Sequence, residues 1–173
     1  MKSPDKTMMH GRDYAGQDVS GWWVSEKFDG CRAYWDGVRL WSRGGHVINA
    51  PAWLTEGLPA LHLDCELWAG YGDREAARLA CQYGRFTPAC RLWIFDCPQA
   101  TTGDWAARIK TAPSTRYASP VAFSVCRGRL DLARRLQAVL ARRGEGLVLR
   151  KPGCAYTIGR VNTMLKVKAG FIR

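Results

Sequence analysis

Ser25-Glu26-Lys27-Phe28-Asp29-Gly30-Cys31-Arg32 is the stretch on which the reading of this chain turns. It sets one lysine between Trp22-Trp23-Val24 and Ala33-Tyr34-Trp35, aromatic and apolar runs of the kind that form strands. Asp29-Gly30 is a turn pair, so the segment predicts a hairpin with Lys27 at a strand end rather than on a mobile loop. A lysine attacks only as the neutral amine and needs surroundings that lower its pKa. A neighbouring cation such as Arg32, or partial burial, acts in that direction. K-x-D-G-x-R is short, however, and a surface hairpin of mixed charge satisfies it equally well. The rest of the chain has to decide.

A length of 173 residues suits one domain with its own core, and eight Trp in a 47% hydrophobic composition argue for a folded chain. No apolar run approaches the length of a membrane span, so no membrane partner is expected. Residues 1–20 are polar and Gly-rich; they read as a loose N-terminal arm without a signal-peptide core, before a domain over 21–173. Seven Cys with no CxxC pair and no zinc-like spacing read as free thiols in a reducing compartment. Residues 1–100 hold 11 Lys and Arg against 12 Asp and Glu, whereas 101–173 hold 15 against 3, so the +11 excess lies entirely in the second part. Such asymmetry points to a polyanion, most simply nucleic acid, with a basic solvated face as the alternative.

Further along, Val38 to Trp41 alternates like a half-buried strand and runs into Ser42-Arg43-Gly44-Gly45, where Arg43 could meet a phosphate. Val47-Ile48 is a short strand, and Trp53 to Leu58 one helical turn. Leu61 to Trp68 is a strand carrying Asp64 and Glu66 on one face; both need a cation, a metal, a ligand hydroxyl or a solvent edge. Residues 73–84 predict a helix opened by Asp73 and stopped by Gly84. Arg91 to Asp96 is a buried strand in which Phe95 is core or stacks on a flat ligand. Asp104 caps a helix reaching Lys110, Thr111 to Pro120 is a loop, and Val121 to Val125 is a strand. Arg129 to Arg143 is an amphipathic helix ended by Gly144; it reads as structural, with Arg134, Arg135, Arg142 and Arg143 off its apolar face, where they could touch phosphates. Glu145 stands at the mouth of the strand Gly146 to Arg150. Lys166 and Lys168 share one face of a last strand, an arrangement that a bound phosphate explains better than a solvated edge.

Taken in order, K-F-D-G-C-R, S-R-G-G, L-D-C-E-L-W, W-I-F-D, E-G-L-V-L-R and L-K-V-K form one set. The set resembles the covalent nucleotidyltransferases: ATP-dependent DNA ligases, RNA ligases and capping enzymes. VSGWWVSEKFDGCRAYWDG, INAPAWL and LDCELWAG are most similar to the short bacterial ATP-dependent DNA ligases. The resemblance implies an α+β, ATP-grasp-like nucleotidyltransferase domain of antiparallel sheets flanked by helices, with the ATP cleft between the sheets. It implies a lysyl-AMP on Lys27, with Asp29 in the same motif and Arg32 and Arg43 on nucleotide or nick phosphate. Glu66 would bind the ribose, Phe95 the adenine, and Lys166 and Lys168 the α-phosphate; Glu26 joins the nucleotide-binding set by its place beside the lysine. Glu145, with Glu66, would hold Mg²⁺ or Mn²⁺. The implied partner is nicked duplex DNA, sealed by a monomer. An RNA ligase and a non-catalytic nucleic-acid-binding module remain as alternatives. Two departures accompany the likeness. The C-terminal OB-fold of such ligases is expected to be absent, since only Ala169 to Arg173 follow the last motif. The chain also reads as cytoplasmic, or periplasmic if a leader was removed.

Overall fold

The computed structural model describes residues 8–100 and 103–171. Strands β1 (Met9–Asp13) and β2 (Trp23–Lys27) open the chain. There follow β3 (Cys31–Trp35), β4 (Leu40–Ser42), β5 (Val47–Ile48), α1 (Ala52–Thr55), β6 (Leu63–Trp68), α2 (Arg74–Tyr83) and β7 (Arg91–Asp96). The remainder runs α3 (Trp105–Lys110), β8 (Ala118–Pro120), β9 (Phe123–Val125), α4 (Arg129–Ala141), β10 (Gly146–Arg150) and β11 (Gly159–Lys168). They build two sheets: five strands in the order β1-β11-β10-β2-β9, and six in the order β5-β4-β3-β6-β7-β8.

The expected mixed α+β architecture is formed, with two amendments. The pairs β1–β11 and β7–β8 are parallel, so neither sheet is purely antiparallel. And the lysine hairpin does not exist: β2 pairs with β9 and β10, while β3 pairs with β4 and β6 in the other sheet. Phe28-Asp29-Gly30 carries the chain across from one sheet to the other. Gly30 permits the crossing, because a Cβ there would fall onto the carbonyl oxygen of Leu67. Alternation alone marks both segments as strands; which strands they pair with is a long-range choice the local pattern does not carry.

The N-terminal arm is also corrected where it is described. Residues 1–7 lie outside the described residues, but Met8 and Met9 are fully buried and β1 forms an edge of the five-stranded sheet. Two other expectations shift. Ala118–Pro120, read as loop, is an edge strand, the place where a proline without an N–H is tolerated. The terminus of α4 is closed by Arg143 in the left-handed region (φ 63°) rather than by Gly144.

Each sheet buries its outer face. Behind the five-stranded sheet, Val24, Leu147, Leu149, Leu165 and Val167 meet Leu132, Leu136 and Val139 of α4. Behind the six-stranded sheet, Ala33, Cys65, Leu67, Leu92 and Ile94 pack with Leu54 and with Ala77 and Ala80 of α2. Asp73 caps α2 by accepting from the Ala76 N–H, and Gly84 ends it at φ 67°. Leu136 is fully enclosed, so Leu136→Ala is expected to lower unfolding free energy by about 2–5 kcal/mol in urea titration, with the cleft-facing chemistry untouched. The inner faces look toward each other across a cavity of about 810 Å³.

Candidate active site

Register explains why residues from opposite ends of the chain meet. Across three adjacent strands Lys27 stands opposite Gly146, and Gly146 opposite Lys168. One step along, Ser25, Val148 and Lys166 form the next row. Period-two geometry then turns Ser25, Lys27, Val148, Arg150, Met164, Lys166 and Lys168 to one face, and all of them line the cavity. Gly146 lets β10 lie close to β11, since a Cβ there would meet the Val167 carbonyl oxygen. Opposite, β3, β6 and β7 contribute Arg32, Glu66 and Phe95.

Lys27 Nζ donates to Glu145 Oε2, and Lys168 Nζ donates to Glu145 Oε1 at 2.7 Å. Burial alone would raise the Glu145 carboxyl, but Lys168 and Lys27 together hold it below the usual carboxylate range. Lys168 is raised in return, chiefly by its bond to Glu145. Lys166 pairs with Asp13 at 3.2 Å. The two lysines of the last motif are thus each answered by a carboxylate of this chain. Burial pushes Glu66 up to about 8, against the opposing pull of Lys27 and the Gly30 N–H, which its Oε1 accepts at 3.1 Å.

Arg32 is not turned toward Lys27. Its Nε donates to Asp64 Oδ1 at 2.9 Å and its Nη2 to Asp64 Oδ2 at 2.5 Å and to the Met9 carbonyl at 2.7 Å. Its guanidinium lies 5.3 Å from the centre of the Phe95 ring. Asp64 is therefore the carboxylate that needed a partner, and Arg32 is that partner. Asp29 pairs with Arg74 at 3.5 Å. Arg43, exposed, lines the cavity beside Ser42, Gly44 and His46.

The remaining candidates stand outside the cavity or at its rim. Glu26 lines it, and its Oε2 accepts from Arg142 Nη2 at 2.5 Å and from the Tyr71 hydroxyl at 3.2 Å. Arg135 is engaged with Asp131, Ser124 Oγ and the Val125 carbonyl. None of Arg134, Arg135, Arg142 and Arg143 lines the cavity, and two of the four are committed to bonds within the chain. The helix is long enough to spread its arginines around its circumference, which is why the pattern could not assign them one target. Residues absent from the sequence-based set are His10, Asp64 and Tyr156, discussed below, and Asp96. Asp96 accepts from both Arg108 and Arg150 deep between the sheets. Only Asp64 left a signal in the sequence, as a second carboxylate on the strand of Glu66.

Two facing sheets with a lysine of K-x-D-G-x-R at their cavity, backed by E-G and L-K-V-K strands, match the fold of ligase nucleotidyltransferase domains. The comparisons narrow the class. A curated DNA ligase of Haemophilus influenzae is 29% identical over 171 residues, which cover 95% of this chain and 63% of that protein. A solved Lig E DNA ligase superposes with a TM-score of 0.82 at 29% identity, over 93% of this chain and 68% of that one. A Chlorella virus DNA ligase-adenylate shares the fold with a TM-score of 0.77 at 19% identity, over 93% of this chain and 66% of that one. No protein-family model matches. The chain is thus similar to ATP-dependent DNA ligases over the part that carries their nucleotidyltransferase fold, and it spans 63% of the length of the curated relative it matches.

Proposed function

We propose that the chain takes AMP from ATP onto Lys27, passes it to the 5′-phosphate of a nick in duplex DNA, and seals the nick by attack of the adjacent 3′-hydroxyl. The observation that carries this reading is the row Lys27–Gly146–Lys168 on the cavity face, closed by Glu145. In the first step the Lys27 amine, having given up its proton, bonds to the α-phosphorus while the bond to pyrophosphate breaks and pyrophosphate leaves with the electron pair. Lys166 and Lys168 neutralise the phosphate oxygens, the main demand that phosphoryl transfer makes on a protein. Phe95 and Val148, from opposite sheets, offer apolar surface for the base, and Glu66 offers its carboxyl to the ribose.

A divalent cation fits this site in one form only. Among the described residues no group of three His, Cys, Asp or Glu could hold a metal by itself. We assign Glu145 rather than Glu66 to the cation: Lys168 and Lys27 hold Glu145 as a carboxylate, whereas burial favours the neutral form of Glu66. One carboxylate plus phosphate oxygens and waters is the manner in which Mg²⁺ is usually bound, and such an ion would offset phosphate charge. Arg32 and Arg43 are assigned to the nick phosphates, with the basic second part of the chain supplying non-specific affinity. No helix among the described residues is long and apolar enough to cross a membrane.

Intact-protein mass after incubation with ATP and Mg²⁺ or Mn²⁺ tests the reading. One AMP per chain is expected, discharged by nicked DNA but not by nicked RNA, with DNA binding weakening steeply as salt rises. A chain that neither accepts AMP nor seals a pre-adenylylated nick would overturn it.

A further inference from the structure

The loop over 151–158, between β10 and β11, reaches from the five-stranded sheet to the opposite one. It places Tyr156 against the carboxylate that holds Arg32. The Tyr156 hydroxyl donates to Asp64 Oδ2 at 2.7 Å and accepts from the Met9 N–H at 3.2 Å. The Met9 carbonyl in turn accepts from Arg32 Nη2 at 2.7 Å, and Asp64 accepts from Arg32 Nε and Nη2. The four residues therefore close a ring: Arg32, Asp64, Tyr156, Met9 and back to Arg32. Met9 and Asp64 are fully buried.

This ring leaves little freedom. A phenol has one proton to give, and with the Met9 amide pointing at its oxygen that proton goes to Asp64. Burial and the neighbouring Asp64 keep Tyr156 well above the ordinary tyrosine range, so it remains a donor at any working pH. Asp64 meets the guanidinium edge to edge, which fixes the plane of the Arg32 fork as well as its position. Of the Arg32 nitrogens, Nη1 is outside the Asp64 clasp and lies 3.4 Å from His10 Nδ1. Arg32 and His10 line the cavity, whereas Tyr156 does not.

We propose that Tyr156 is a positioning residue: through Asp64 it locks Arg32 so that the guanidinium presents a fixed donor to phosphate in the cavity. The role deepens the ligase reading, on which Arg32's contact with a phosphate rests. It also links the two sheets at the site, because Tyr156 lies in the loop that joins β10 to β11, and Asp64 belongs to β6, the strand of Glu66. A change in the separation of the sheets would be felt at Arg32 first.

The test is Tyr156→Phe in the full chain, alone and combined with Arg32→Lys. A lysine keeps the charge but has no fork for Asp64 to orient. In single-turnover transfer of AMP from the charged protein to a nick, Tyr156→Phe is expected to slow the saturated rate about tenfold with the half-saturating DNA concentration changed less than about twofold. In the Arg32→Lys background the same change is expected to have no further effect. Equal losses in both backgrounds, or no loss in the first, would overturn the proposal. Exchange of the Arg32 Nε proton, followed by NMR and assigned with Arg32→Lys, reads the positioning without any chemistry. Faster exchange in Tyr156→Phe supports the ring, and an unchanged rate overturns it. A parent chain that takes no AMP would count against the ligase reading, and the exchange measurement would still decide the role of Tyr156.

Discussion

Replacement of Lys27 by alanine is expected to abolish AMP transfer to the chain while leaving the fold intact. The lysine sits at the end of β2, partly accessible, in the row it shares with Gly146 and Lys168. Its removal takes away the nitrogen that the proposed first step bonds to phosphorus, and neither Lys166 nor Lys168 can substitute from its own strand position without breaking the register that aligns the row. The structural cost is small. Glu145 keeps Lys168 at 2.7 Å, so no carboxylate is left unpaired. Lys27→Arg is expected to fail equally, because a guanidinium does not give up its proton to become a nucleophile. Intact mass and melting temperature, measured on the same samples, separate the two aspects: no adduct, with a melting temperature within a few degrees of the parent. An adduct of unchanged yield on another residue would remove Lys27 from the mechanism.

That prediction could be framed from the sequence, and its physical setting could not. The motif residues were legible because their chemistry is concentrated in short strings. K-F-D-G-C-R, E-G and L-K-V-K name the lysine, the carboxylate and the cations. Capping and stop signals placed α2 and α3 to within a residue or so, since Asp73, Gly84 and Asp104 act on their immediate neighbours. What escaped was whatever depends on strands choosing distant partners. The apparent hairpin around Asp29-Gly30 is a crossing between sheets, and the arm around Met9 is a strand held by β11 at the far end of the chain. Local sequence offers Arg32 both as a cation acting on Lys27 and as a phosphate contact. The fold instead gives its charge to Asp64, a partner that a strand 32 positions away brings opposite. Tyr156 left no signal at all, since a tyrosine in a Gly- and Pro-containing loop looks the same whether its hydroxyl faces water or a buried carboxylate.

The largest stability effect is expected at Asp96, which no motif assigned a role beyond ending a strand. Its side chain is fully buried and accepts from Arg108 Nε at 2.9 Å, Arg150 Nη1 at 3.0 Å and its neighbour's Cys97 N–H at 2.9 Å. Arg108 belongs to α3 and Arg150 to β10, so one carboxylate joins the six-stranded sheet to the five-stranded one. Asp96→Ala removes the negative charge bonded to two buried guanidiniums. Arg108 retains the carbonyls of Gly103 and Cys154, at 2.7 and 3.0 Å, while Arg150 retains the Met9 sulfur at 3.5 Å and the face of Trp105. Breaking a buried ion network from one side typically costs about 3–5 kcal/mol, because the remaining charges stay desolvated and uncompensated. For a chain of this size that corresponds to a fall in melting temperature of roughly 6–20 °C. Arg150→Met is the informative control. It leaves the Asp96–Arg108 pair satisfied and replaces a buried cation by an apolar side chain of similar length, so its cost is expected to be clearly smaller. If Asp96→Ala unfolds no more readily than Arg150→Met, the network does not join the sheets. The separation of the two cavity walls, and with it the spacing between Lys27 and Arg32, would then have to be held by the apolar contacts and by the hydrogen bonds that Tyr156 and Met9 make to Asp64 and Arg32.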